Sequence, residues 1–95
     1  MGLMTYIPQE ARRWLDPLLD AFIEDGPVTR GELNYCISRL VLGFLSRDPL
    51  PPNYATLSAV RAVLFDAADE FYRRAMVPYE DLKAAENGDL LWPSV

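Results

Sequence analysis

Three carboxylates, Asp66, Asp69 and Glu70, fall three and four residues apart in the second half of this chain. On a helix that spacing puts them on one side, and such a face can hold Mg²⁺. The chemistry it would support is metal-assisted hydrolysis of a nucleotide. Tyr72, Arg73 and Arg74 come next, then Pro78 and Tyr79. Two guanidinium groups with aromatic rings nearby can clamp a phosphate and stack a base, as a nucleotide or cyclic-nucleotide site requires. Glu80, Asp81, Lys83 and Asn87 follow the proline and extend the polar set. A third group, Asn34, Tyr35, Ser38 and Arg39, lies off an apolar stripe and would line a polar groove.

Each group also has a plainer reading. Asp69–Arg73 and Glu70–Arg74 are i, i+4 pairs with the acid first, the better order on a helix. Such pairs account for four charges as a solvated face without any ligand. All-α nucleoside triphosphate pyrophosphohydrolases carry a Glu-Glu-x-x-Glu cluster and a Glu-x-x-Asp on the next helix, and this chain has neither. Tyr79 beside two arginines is what the ion pairs leave unexplained, so the Pro78 corner is the expected ligand site. Tyr35 reads alternatively as a half-buried residue on an exposed face. Trp14 and Trp92 read as core or interface anchors, and Cys36, inside an apolar stripe, as inert core.

The absent residues narrow the chemistry further. The chain has no histidine and one cysteine. Ser-His and Cys-His nucleophile pairs, histidine acid–base chemistry and the usual zinc sites are therefore excluded. Gly26, Gly31 and Gly43 sit outside any strand–loop–helix context, so there is no phosphate-cradling loop. The net charge of −5 argues against duplex nucleic acid as the main partner. Arginine supplies eight of the nine basic residues, which favours bidentate grip on phosphate or carboxylate over point-charge attraction.

The elements that must position these residues are helices. The first is expected from Pro8 to about Glu24, with Leu15, Leu18, Leu19, Phe22 and Ile23 at helical spacing. Pro17 is expected to break or kink it, and Asp25-Gly-Pro27 to end it. Thr29 and Glu32 have capping-box spacing and open a second helix. Its stripe is Leu33, Cys36, Ile37, Leu40, Val41, Phe44 and Leu45, and Ser46-Arg-Asp-Pro49 stops it. A rigid Leu50-Pro-Pro-Asn53 loop leads to a third helix, capped by Asn53 or Thr56 and running to Met76 or Val77. Leu57, Val60, Leu64, Ala67, Ala68, Phe71 and Ala75 form its expected buried stripe. Pro78 disfavours helical geometry at Val77, so a short fourth helix is expected from Pro78 to Glu86, ended by Asn87-Gly88.

The expected fold is all-α, a small bundle of three main helices, the first kinked or broken at Pro17, plus a short C-terminal helix. It is read as one domain over residues 1–95, with tails at 1–6 and 90–95. Half the residues are hydrophobic, generous for 95 residues, and part of that surplus is expected to face a second copy. No apolar run reaches the roughly 20 residues of a membrane span. The N-terminus has neither the basic nor the apolar region of a signal peptide, and one cysteine fits a reducing compartment, so the cytoplasm is the expected location.

Several blocks carry a resemblance: Thr5-Tyr-Ile-Pro-Gln-Glu10, Leu15-Asp-Pro-Leu18, Gly31-Glu-Leu-Asn-Tyr35, Arg39-Leu40 and Tyr54-Ala-Thr-Leu57 in the first part of the chain. Glu70-Phe-Tyr-Arg-Arg74, Pro78-Tyr-Glu-Asp81, Lys83 and Glu86-Asn-Gly-Asp89 continue it. Together they resemble a family of small bacteriophage and prophage proteins. The resemblance implies a phage accessory protein in a bacterial host and brings no activity with it. The chain departs from the pattern at its end, where Asp89-Leu-Leu-Trp-Pro-Ser-Val95 stands in place of a short Val-Tyr-like ending. The expected role is a non-enzymatic, cofactor-free binding protein that occupies a nucleotide-type signal or a host protein as a homo-oligomer. The alternatives are the Mg²⁺-dependent pyrophosphohydrolase-like enzyme and a structural or regulatory phage protein.

Overall fold

Capping chemistry sets where the helices begin. A computed structural model of the protein describes residues 7–90. Of these, 79% are helical and none is in a strand. α1 spans Gln9–Glu24, α2 Arg30–Leu45, α3 Tyr54–Phe71 and α4 Val77–Asn87. A π turn over Tyr72–Met76 joins α3 to α4, so the last three segments form one helix of 34 residues. The chain divides after Val60 into two units, Met1–Val60 and Arg61–Val95.

In the first unit Pro8 is the residue before α1, one position earlier than expected, with extended backbone. α1 then runs through Pro17 without the expected break. A proline there removes one backbone hydrogen bond and crowds the carbonyl four residues back. Helix formers on both sides, Glu10-Ala-Arg-Arg-Trp-Leu15 and Leu18-Leu-Asp-Ala-Phe22, carry the helix across it. α1 ends at a turn that needs Gly26, because a Cβ there would sit 2.7 Å from the Phe22 carbonyl oxygen.

α2 starts as its sequence predicts. The Glu32 N–H donates to Thr29 Oγ1 at 3.1 Å, and Glu32 Oε1 accepts from the N–H groups of Val28 and Thr29 at 2.8 and 3.1 Å. These backbone bonds, Val28 first and Thr29 second, hold the Glu32 carboxyl below its ordinary value. A lowered folded pKa makes this contribution fully present above the ordinary carboxylate range and lost as pH falls through the folded value. Thr29→Ala is expected to destabilise α2 by about 1 kcal/mol. Glu32→Gln is expected to flatten the acid side of the stability profile, read by urea melts from pH 3 to 7. At the far end Ser46 Oγ donates to the Leu42 carbonyl at 2.8 Å, and Asp48 Oδ1 accepts from the Leu50 N–H at 3.0 Å. Asn53, not Thr56, caps α3: its Oδ1 accepts from the Thr56 N–H at 2.8 Å and from Thr56 Oγ1 at 3.0 Å.

In the second unit the expected restart at Pro78 is absent. Proline in a regular helix collides with the carbonyl four residues behind it and leaves that carbonyl without a donor. The chain widens its hydrogen bonding instead: the Val77 N–H donates to the Tyr72 carbonyl, five residues back. The extra residue in that turn relieves the conflict, and α4 continues with Pro78 in its first turn. Gly88, at φ +88°, ends it with its N–H on the Ala84 carbonyl at 2.8 Å. The cap expected at Asn87-Gly88 is therefore in place.

The expected buried stripes are the largest departure. No described residue is buried. On α2, Leu33, Ile37, Leu40 and Phe44 stay exposed, while Cys36, Val41 and Leu45 are half-buried. On α3 and the π turn, Leu57, Leu64, Ala67, Ala68, Phe71 and Ala75 are exposed and Val60 is half-buried. On α1, Trp14, Leu18, Leu19, Phe22 and Ile23 are exposed and only Leu15 is half-covered. Trp92, most of the Leu90–Val95 tail and residues 1–6 lie outside the described residues. Among the described residues, nothing within either unit buries these apolar side chains.

Candidate functional site

The π turn presents Tyr72, Arg73 and Arg74, and one carboxylate gathers both arginines. Glu70 Oε1 accepts from Arg73 Nη2, and Glu70 Oε2 lies 3.0 Å from Arg74 Nε. The expected Asp69–Arg73 pair does not form, because Arg73 turns to Glu70 instead. A carboxylate has two oxygens and about four acceptor positions, enough for two guanidinium groups. Glu70 is half-buried, whereas both arginines are exposed, so each pair contributes at most about 1 kcal/mol. The guanidinium groups therefore remain open to solvent and to exchange of their partner.

One helical stretch later, Lys83 Nζ lies 5.7 Å from the Tyr79 ring centroid and 3.2 Å from Glu86 Oε1. Tyr79 is exposed, and so is Tyr72. Glu80 lies in the first turn of α4. Glu80 and Asn87 are exposed and join no side-chain hydrogen bond or ion pair among the described residues. Within the second unit, then, the residues expected around Pro78 share one continuous helical segment. They form two local clusters, Glu70–Arg73–Arg74 and Tyr79–Lys83–Glu86.

Among the described residues no group of three or more acidic or cysteine side chains is placed to hold an ion. Glu70 is already engaged by both arginines, and Asp66 is half-buried.

In the first unit, Arg39 Nη1 donates to Tyr35 Oη at 3.0 Å, with its guanidinium carbon 5.8 Å from the ring centroid. Asn34 is exposed on the same helix, joins no such pair among the described residues and does not meet them in a cluster. Sequence reasoning missed two features here. A groove of about 600 Å³ opens at the α1–α2 elbow, lined by Phe22, Gly26, Val28, Tyr35 and Cys36. A second, of about 510 Å³, lies between the end of α2 and the Pro51-Pro52 loop, with Phe44, Leu50 and Asn53 among its walls. The glycine-proline and proline-proline punctuation marks both positions, but turn residues announce a bend and not the hollow inside it. In the second unit, Arg61 stacks over Phe65 at 4.6 Å, an i, i+4 contact visible in the spacing.

The fold and these clusters define a small all-α protein whose polar chemistry is spread along helix faces. The chain belongs to the DUF6899 family: the model for this domain of unknown function (DUF6899) matches residues 4–90. No curated protein and no solved structure matches the chain.

Proposed function

We propose that this is a non-enzymatic, phage-type accessory protein that acts by binding, as a homo-oligomer in the bacterial cytoplasm. Its task is evasion of host defence, by sequestering a nucleotide-type signal or blocking a host protein. The observation that carries this reading is that all three helices keep their apolar faces uncovered. A domain that buries nothing within itself gains its burial from association, and large uncovered apolar patches are the mark of interaction surfaces. The Mg²⁺-enzyme alternative draws less support, since a cation at Asp66, Asp69 and Glu70 would have to displace two guanidinium groups from Glu70. The alternative of a structural or regulatory phage component shares the association step and differs only in partner.

The nucleotide branch rests on Arg73, Arg74, Tyr72 and Tyr79. Arg74 lies in the π turn and Tyr79 five residues on, past Pro78 in the first turn of α4. A phosphate would displace Glu70 from the two arginines, and the exposed tyrosine ring would take a base. In the same reading α1 bends at Pro17, and Val77–Asn87 acts as a short terminal helix hinged at the π turn. A thermal-shift series with mono-, di- and cyclic nucleotides tests this branch. Saturation at about 100 times Kd is expected to stabilise the protein by about 2.7 kcal/mol. Arg73→Ala with Arg74→Ala is expected to abolish that shift. Melting unchanged by every nucleotide removes the signal-sequestering branch and leaves the host-protein branch.

A further inference from the structure

We infer that α2 and the elbow groove beside it form the surface on which a second copy of this chain docks. The inference deepens the self-association reading above and rests on it. Among the helices, α2 carries the fewest charges: Arg30, Glu32 and Arg39, against six on α1. Between Leu33 and Leu45 the sole charge is Arg39, and it is already bonded to Tyr35. Glu32 is likewise spent on the capping box. Tyr35 is neutral, so Arg39 keeps its positive charge, and an interface cored by Leu33, Ile37, Leu40 and Phe44 must leave it at the solvent-facing rim.

The apolar residues reach beyond one stripe. Leu33 is 52% exposed, Ile37 40%, Leu40 63% and Phe44 66%, while Leu42, outside the stripe, is 58% exposed. A helix that is apolar on several sides belongs in a core. Leu42 lies about half a turn away from the other four, so one docked copy covers Leu33, Ile37, Leu40 and Phe44, roughly half of the about 800 Å² that each partner contributes to a stable interface. The elbow groove adjoins them through Tyr35 and Cys36 and adds Phe22 and Val28. A row of seated side chains there would supply much of the remainder.

Charge complementarity names the occupant as the same chain. In a two-fold interface each patch meets itself, so a strongly charged patch repels its copy. α1 carries four acids against two bases and α4 three acids against one base, so each would repel its own copy. The α2 patch is nearly uncharged and is self-complementary. Interface cores are depleted of charge in the same way.

Cys36 is the chain's single thiol and sits half-buried on this surface, which supplies the test on the unmodified protein. Light scattering and the rate of reaction with a chromogenic disulfide reagent are followed together on dilution. The expected result is an oligomeric mass at micromolar concentration, with Cys36 reacting roughly tenfold or more slowly than in the urea-unfolded chain. That protection should vanish in step with the mass as the protein is diluted. An oligomer whose Cys36 reacts at the unfolded rate, or whose protection does not follow the mass, overturns the α2 surface while leaving self-association intact. A single-chain mass throughout removes both.

Discussion

Leu40→Asp should dissolve the assembly and most of the helix with it. Leu40 is 63% exposed in the single chain, so a folded monomer would feel the change by no more than about 0.5 kcal/mol. In an assembly cored by α2 the same change loses the apolar contact and introduces an unpaired carboxylate. Truncating a buried leucine alone costs about 2–5 kcal/mol, and the charge adds to that. With no buried residue among the described ones, such a loss exceeds what the remaining local interactions hold. Circular dichroism at micromolar concentration should show most of the helical signal gone, with a monomeric mass by light scattering. Retention of both the helix and the oligomer would place the association surface elsewhere.

Pro17→Ala should act in the opposite direction. Pro17 stands in the middle of a continuous α1, where proline costs about 3 kcal/mol relative to alanine. The substitution restores a backbone donor, removes the crowding and supplies the best helix former. The expected result is a rise in melting temperature equivalent to about 1–3 kcal/mol, measured at a fixed protein concentration. A fall would mean that the proline shapes α1 for its partner, at the expense of the helix's own stability.

The two substitutions bear on what the sequence made legible and what it left hidden. The Thr29–Glu32 box, the Asn53 cap and the Gly88 end were all readable, because each depends on side chains within a few residues of the backbone they satisfy. The behaviour of Pro17 and Pro78 was not. Local rules weigh a proline as a stop, whereas α1 bridges Pro17 and the chain absorbs Pro78 in a π turn. Partner choice among charges was equally opaque: spacing offered Arg73 to Asp69, but the adjacent Glu70 collected both arginines.

The apolar stripes are the most instructive case. Their spacing marked an apolar stripe on each helix and said nothing about what would cover it, since periodicity has no term for the partner. Half-hydrophobic composition in 95 residues was the one sequence signal behind the proposal that another chain covers them. The polar residues around Pro78 were visible in the sequence, but their grouping into two local clusters on one helix was not. The elbow grooves left no sequence trace beyond their turn residues.

The central claim is that this chain folds by joining copies of itself. Light scattering combined with circular dichroism, on the wild-type chain at low micromolar concentration, tests it most directly. The account predicts a mass at an integral multiple of the single chain and a helical signal that fades as dilution lowers the mass. A single-chain mass with the full helical signal, unchanged by dilution, would contradict it.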